Sequence, residues 1–236
     1  GTWQERLFLM SSLDLSVIFP AYNEEENIFR TLELFAEELQ ALDFEFVVVN
    51  DGSKDATSAE VQKFREENPQ TQIQLIEHPQ NRGYGAALRS GFQAAKGEWS
   101  FFTDSDLQFS PQDFHSVWKE RTDWLVVSGY RSPRKDPLLR VFNARIWGVY
   151  IKLLLNISLR DLNCAFKLFQ SELIQSLPLT SNGALINAEI FALLHQRTIP
   201  VKEVPVSHFP RVAGTQTGAH PLVIVKALRE SIGLRK

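Results

Sequence analysis

Through the first 130 residues, short apolar runs alternate with longer stretches in which apolar positions recur every three or four residues. The runs 15–19 (LSVIF), 44–50 (FEFVVVN), 73–77 (IQLIE), 99–103 (WSFFT) and 124–128 (WLVVS) are too short for buried helices. Turn-forming or polar residues bound most of them, so they read as buried strands. Between the first two, Ile28, Leu32, Phe35, Leu39 and Leu42 trace one helical face, with acidic residues at its N-terminal end. Further helices are expected over about 55–66, where Ser53 or Asp55 can cap, over 85–95, and from Pro111 onward. Strands alternating with helices predict an α/β fold: a mostly parallel, Rossmann-like sheet flanked by helices.

In such sheets chemistry gathers at the carboxyl ends of strands. Asn23-Glu24, Asp51 and the pair Asp104 and Asp106 all follow predicted strands directly. Asp104-Ser105-Asp106 with Gln108 offers oxygen ligands suited to Mg²⁺ or Mn²⁺, which are often shared with substrate phosphates. In isolation the same residues make an ordinary solvated turn, and it is their place among the other acidic strand ends that favours the metal. Asp51 can cap a turn or helix, or accept hydrogen bonds from a nucleobase or ribose. Asn81-Arg82-Gly83-Tyr84-Gly85 lacks the full glycine pattern of a dinucleotide loop, but a glycine-rich helix start could let backbone approach a phosphate or sugar.

These segments, in this order and spacing, resemble the motifs of inverting family 2 glycosyltransferases with a GT-A fold. The resemblance is carried by Pro20-Ala21-Tyr22-Asn23-Glu24, Val48-Val49-Asn50-Asp51-Gly52-Ser53, Asn81-Arg82-Gly83 and Asp104-Ser105-Asp106-Leu107-Gln108. Downstream, Gly129-Tyr130-Arg131, Asp161 through Lys167 and His208-Phe209-Pro210-Arg211 are similar to the dolichyl-phosphate mannose synthase-like branch, which glycosylates polyprenyl phosphates. The resemblance implies a GDP- or UDP-hexose donor, with Pro20, Tyr22, Glu24, Asp51 and Arg82 around the nucleotide. It implies a divalent metal on Asp104, Asp106 and Gln108, with Asp106, Arg131, Lys167 and Arg211 at the reaction centre. Lys167, His208 and Arg211 would then face an acceptor phosphate. One departure is that Lys167 stands where the branch carries Arg, which keeps the charge and loses the bidentate fork. The rival acceptor is a glycan or lipid-sugar hydroxyl, which needs a general base. Glu189 is the candidate, though it also reads as a structural hydrogen-bonder. A non-catalytic nucleotide-sugar-binding subunit is a third reading, against which the intact Asp104/Asp106 pair argues.

Charge and composition add a surface. The 236 residues carry a net −3, with 44% hydrophobic and 22% charged residues, which fits a globular chain and no generally basic nucleic-acid binder. Over 121–160, however, eight Lys/Arg against Asp123 and Asp136 give +6, leaving −9 for the remainder. Within that basic segment 138–157 reads as an amphipathic helix with more apolar surface than one core contact needs. Its cover is expected to be the core, a second copy, a membrane-protein partner or the membrane surface itself. No apolar run reaches the roughly 18 residues of a membrane span. A single cysteine, Cys164, excludes an intrachain disulfide and fits a reducing compartment. The expectation is one GT-A domain over 1–218, with a nucleotide half (1–130), an acceptor half (131–218) and a basic helical tail (219–236). It would lie peripherally on the cytoplasmic face of a membrane.

Overall fold

The computed structural model describes residues 13–132 and 159–211. The predicted helix at 138–157, the loop at 212–218 and the tail at 219–236 lie outside them.

The described residues form one seven-stranded sheet. Its strands are β1 (Leu15–Ala21), β2 (Phe44–Asn50), β3 (Gln72–Glu77), β4 (Trp99–Thr103), β5 (Val126–Arg131), β6 (Phe166–Gln170) and β7 (Lys202–Val206). The spatial order is β3-β2-β1-β4-β6-β5-β7. β1 through β4 pair in parallel, as do β5 and β7, while β6 runs antiparallel to both of its neighbours. The helices are α1 (Ile28–Glu38), α2 (Thr57–Glu67), α3 (Tyr84–Ala94), the short α4 (Phe114–Trp118), α5 (Ser171–Gln175) and α6 (Ile186–Gln196). Pro111 opens a 3₁₀ turn ahead of α4, a position that needs no N–H from it.

Strands β1 and β4 are buried throughout, so their near-continuous apolar sequences match a sheet covered on both faces. Edge-to-face phenylalanines fill the space under the helices: Phe19 against Phe35 and Phe46, Phe101 against Phe114 and Phe166, and Phe92 against Phe169. Each fully buried ring contributes about 1.5–3 kcal/mol of transfer free energy.

Register decides what meets at the sheet's upper edge. Ala21 pairs with Asn50 and Ile18 with Phe102, so β1, β2 and β4 release their following residues side by side. β6 enters from that same edge, with Phe166 opposite Thr103. β5 and β7 end there together, with Arg131 opposite Val206. Segments 22–25, 51–55, 104–108, 161–165 and 207–211 therefore converge, although they span 190 residues of sequence.

Candidate active site

The loops after β1 and β2 are laced together. Asn23, at φ 56°, donates its N–H to Ser53 Oγ (2.9 Å) and accepts from the Lys54 N–H through Oδ1 (2.9 Å). Glu25 N–H bonds Asp55 Oδ2 (3.2 Å) while Glu25 Oε2 accepts the Ala56 N–H (2.8 Å). Glu24 N–H bonds Thr57 Oγ1 (2.9 Å), and Asp55 Oδ1 accepts the Thr57 N–H (3.0 Å) at the start of α2. These reciprocal pairs satisfy loop donors that a strand or helix would otherwise hold. They leave the Glu24 carboxylate, steadied by Asn27 Nδ2 at 2.8 Å, turned toward the site.

Asp51 is 3% exposed and clamps the loop 78–83. Its Oδ1 accepts from Arg82 N–H (2.9 Å) and His78 Nδ1 (2.6 Å), and its Oδ2 accepts from Gly83 N–H (2.8 Å). A carboxylate has about four acceptor positions, so one remains for a ligand. Asp51 thus caps a loop 31 residues away rather than its own turn.

The glycine-rich start of α3 differs from the expectation of a backbone cradle for phosphate or sugar. The N–H groups of Gly85 (2.8 Å) and Ala86 (3.2 Å) both donate to the Asn182 carbonyl oxygen, so the chain itself caps this helix. The glycines admit that approach: a Cβ on Gly83, which has φ +104°, would lie 2.3 Å from the Asn182 carbonyl oxygen, and one on Gly85 2.5 Å from that of Ser181. Arg82 is exposed beside it, and Tyr84 Oη donates to Asp104 Oδ1 at 3.1 Å.

Asp104 and Asp106 straddle a pinned residue. Ser105 Oγ donates to the Pro20 carbonyl oxygen (2.9 Å), and the Ser105 carbonyl oxygen accepts from Thr31 Oγ1 (3.1 Å). With Ser105 fixed to β1 and α1, the two carboxylates sit at the end of β4 beside Pro20. Burial, then the nearby Asp106 charge, pushes the Asp104 carboxyl up to about 7. Burial also raises Asp106, against the opposing pull of the Arg211 guanidinium. Two crowded, partly desolvated carboxylates are a donor set that a divalent cation relieves. Among the described residues no third His, Cys, Asp or Glu joins them. That composition fits Mg²⁺ or Mn²⁺ completing its shell with phosphate oxygens and water, and no dedicated all-protein cage. Gln108 ties the segment 104–108 to 208–211: its Nε2 donates to the Phe209 carbonyl oxygen (3.1 Å), and Phe209 N–H to the Gln108 carbonyl oxygen (2.8 Å).

The expected cations divide. Arg211 faces the acidic strand ends, 2.6 Å from Glu24 Oε1 and 3.4 Å from Asp106 Oδ2. Arg131 grips Asp161 through Nε (2.6 Å) and Nη2 (2.9 Å), at the edge where β5 ends. His208 is buried edge-on to Phe109, across the bridge that joins 109 to 208. Lys167 departs furthest from the expectation of a phosphate contact, because its side chain has no exposed surface. It donates to the Cys164 carbonyl oxygen and to Asn187 Oδ1 (3.1 Å) and lies over the Phe102 and Phe191 rings. Burial drives its pKa down to about 8, with Asp104 among the charges that hold it up. It is a charge beneath the site.

Glu189 hydrogen-bonds the segment ahead of its own helix. Its Oε1 accepts from Thr180 N–H (2.8 Å) and Thr180 Oγ (2.6 Å), and its Oε2 from Ser181 N–H (2.9 Å), with the residue 3% exposed. Sequence reading quoted Tyr84 and Asp161 within motifs without giving either a role, and passed over His78 and Asn182. Asp161 was within reach, as the acid that opens a motif directly after the basic segment 121–160. Nothing local marks His78 or Asn182.

A mostly parallel sheet with this site at the carboxyl ends of its strands agrees with the GT-A fold expected from the sequence. Glucosyl-3-phosphoglycerate synthase from Mycobacterium tuberculosis, solved with Mn²⁺, UDP and glucosyl-3-phosphoglycerate, shares this fold with a TM-score of 0.70 at 19% identity, over 99% of this chain and 82% of that one. The family model for glycosyl transferase family 2 matches residues 16–177, and the chain belongs to that family. A dolichyl-phosphate beta-glucosyltransferase from Dictyostelium discoideum is 31% identical over 84% of this chain and 67% of its own length. A dodecaprenyl-phosphate galacturonate synthase from Rhizobium johnstonii is 29% identical over 72% of this chain and 52% of its own. The chain therefore spans about two thirds of the first relative and about half of the second.

Proposed function

We propose that the protein is a metal-dependent, inverting glycosyltransferase that moves a hexose from a nucleoside-diphosphate-sugar to a polyprenyl phosphate. The observation that carries it is the Asp104/Asp106 pair on its pinned Ser105, faced by Arg211 across the sheet's carboxyl edge. The names of the similar proteins, which transfer sugars to dolichyl and dodecaprenyl phosphates, support the acceptor class.

Pro20, Tyr22, Glu24 and Arg82 line the donor side, and Asp51 has one acceptor position left for a nucleoside N–H or O–H. Asp104 and Asp106 hold the divalent cation, with Gln108 beside them. When bound, Mg²⁺ or Mn²⁺ supplies positive charge against the departing nucleoside diphosphate, so that no acid need protonate it. An acceptor phosphate oxygen is already anionic at pH 7 and attacks the anomeric carbon in line, on the face opposite the leaving group, which inverts that centre. No general base is then required, which agrees with Glu189 being buried and bound to Thr180 and Ser181. Arg211 and His208 lie on the acceptor side and Arg131 borders it, while Lys167 contributes charge from below without contact.

The polyprenyl tail stays in the bilayer, so the enzyme works at the membrane surface, on the cytoplasmic face where nucleotide-sugars are available. The +6 segment 121–160 suits attraction to anionic headgroups. Among the described residues no helix is long and apolar enough to cross a membrane.

The test is a donor and acceptor matrix. UDP- and GDP-hexoses are screened with Mg²⁺ or Mn²⁺ against short-chain polyprenyl phosphates and against glycan hydroxyl acceptors. Transfer that requires both the metal and the lipid phosphate is expected, and equal transfer to hydroxyl acceptors would overturn the reading.

A further inference from the structure

Asp51, already placed on the donor side, is the first member of a hydrogen-bonded chain whose other members, His78 and Ser90, the proposed chemistry does not use. Asp51 Oδ1 meets His78 Nδ1 at 2.6 Å, and His78 Nε2 meets Ser90 Oγ at 2.9 Å. A carboxylate oxygen accepts from the Nδ1–H, and Nε2 shares a second hydrogen bond with the Ser90 hydroxyl. The order of groups is that of a hydrolytic triad, but Ser90 sits inside α3. Amides around it belong to the helix ladder, and no pair of N–H donors is left to hold an oxyanion. The chain is a brace.

What it braces is the loop that reaches the metal carboxylates. Asp51, held on one side by His78, takes the backbone N–H groups of Arg82 and Gly83. The next residue, Tyr84, donates its hydroxyl to Asp104 Oδ1 at 3.1 Å. A continuous path of hydrogen bonds and one covalent step therefore joins the end of β2 to the end of β4. Gly83 adopts φ +104° where the path turns, a conformation other residues rarely take. The far side of the loop is fixed as well, since Gly85 and Ala86 N–H groups bond the Asn182 carbonyl oxygen.

We infer that Tyr84 is a positioning residue that sets the Asp104 carboxylate for the divalent cation, and that the His78–Asp51 brace acts through Tyr84. The inference rests on the metal site proposed above. A ligating carboxylate whose second oxygen is fixed by an outer hydrogen bond loses less freedom on binding, and removing such partners typically costs about 10- to 100-fold in metal affinity.

The experiment measures Mn²⁺ affinity by EPR titration, with UDP and with GDP, for wild type and for Tyr84→Phe, His78→Leu, His78→Asn and the double variant Tyr84→Phe/His78→Leu. Circular dichroism and thermal unfolding are recorded in parallel. Tyr84→Phe removes one oxygen and is expected to weaken Mn²⁺ by about 10-fold or more with the fold retained. His78→Leu is expected to weaken it as well, while His78→Asn, whose amide can stand in for the Nδ1–H, restores most of the affinity. The double variant should be no weaker than Tyr84→Phe, because both changes act through one contact. Unchanged Mn²⁺ affinity in Tyr84→Phe would overturn the assignment of Tyr84. Additive losses in the double variant would overturn the path from His78. A wild-type protein that binds no Mn²⁺ with either nucleotide would instead remove the proposed function, and this inference with it.

Discussion

Arg211 reaches Glu24 with an Nη2–Oε1 distance of 2.6 Å across 187 residues of sequence, and its other terminal nitrogen lies 3.4 Å from Asp106. One guanidinium thus serves an acid from the β1 loop and an acid from the β4 loop, both largely shielded from water. Removing it leaves the carboxylates to repel each other. Arg211→Ala is expected to lower transfer by about 100-fold, as the loss of a charge-stabilising contact typically does. Arg211→Lys should recover only part, since an ammonium cannot address two carboxylates as a planar fork can. Initial rates at saturating metal check both.

Asp106 is joined to its surroundings by few contacts: Arg211 and the Gln108 N–H at 3.2 Å. Its replacement should therefore spare the fold. Asp106→Ala is expected to abolish measurable transfer while leaving the far-UV spectrum and the denaturation midpoint near those of wild type. Activity close to wild type would exclude Asp106 from the metal site.

The strands over 15–19, 44–50, 73–77 and 99–103 and the first three helices were legible because local periodicity suffices for them. Each observed element lies within a few residues of its expected span, and α1 stops short at Glu38. β6 and β7 were not legible. β6 reads Phe-Lys-Leu-Phe-Gln, and a lysine in a run of five argues against a central strand buried on both faces. Only tertiary partners, the Cys164 carbonyl oxygen, Asn187 and two aromatic rings, make it tolerable there. The site shows the same division. Acidic strand ends announce themselves through topology, whereas Asp51 binding amides 31 residues away resembles a plain turn cap until the fold is known.

Lys167 has a pH signature. Its folded pKa, about 8, lies below the 10.5 of a free lysine. Between these values the unfolded chain holds the extra proton, so stability rises with pH through this window. The penalty is fully present below about 8. Its size is up to about 3 kcal/mol at 1.36 kcal/mol per pKa unit. Cys164, pushed up to about 12 by burial, acts with opposite sign at the upper end. The comparison is therefore wild type minus Lys167→Met, by urea denaturation at pH 7.5 and pH 10. The wild type should gain on the variant at the higher pH, and a constant difference would mean that the ammonium is not desolvated.

Buried Glu45 offers a test of the scaffold away from the site. It is 1% exposed and accepts from Ser16 Oγ (2.7 Å), Lys96 N–H (2.8 Å) and Gln74 Nε2 (2.6 Å), which joins β1, β2, β3 and the turn after α3. Glu45→Ala removes an acceptor from three donors, although Lys96 N–H keeps Ser16 Oγ (3.0 Å) and Gln74 Nε2 keeps the Ala94 carbonyl oxygen (3.3 Å), and should cost about 1–3 kcal/mol. Denaturant midpoints measure it, and the specific activity of the folded fraction should stay near wild type.

Glu189 separates the two acceptor chemistries. A general base removed from a hydroxyl-transfer enzyme costs about 100- to 10,000-fold in rate. As a hydrogen-bonder, Glu189 instead secures Thr180 and Ser181, next to the Asn182 carbonyl that caps α3. Glu189→Gln keeps an acceptor oxygen for Thr180 but turns an amide toward the Ser181 N–H, which should lower stability by about 1–3 kcal/mol. Transfer to a lipid phosphate should then persist within several-fold below the unfolding temperature. Thermal denaturation and initial rates on the same preparation decide the matter. A stable Glu189→Gln protein that has lost its rate a thousandfold would make Glu189 the base and a hydroxyl the acceptor.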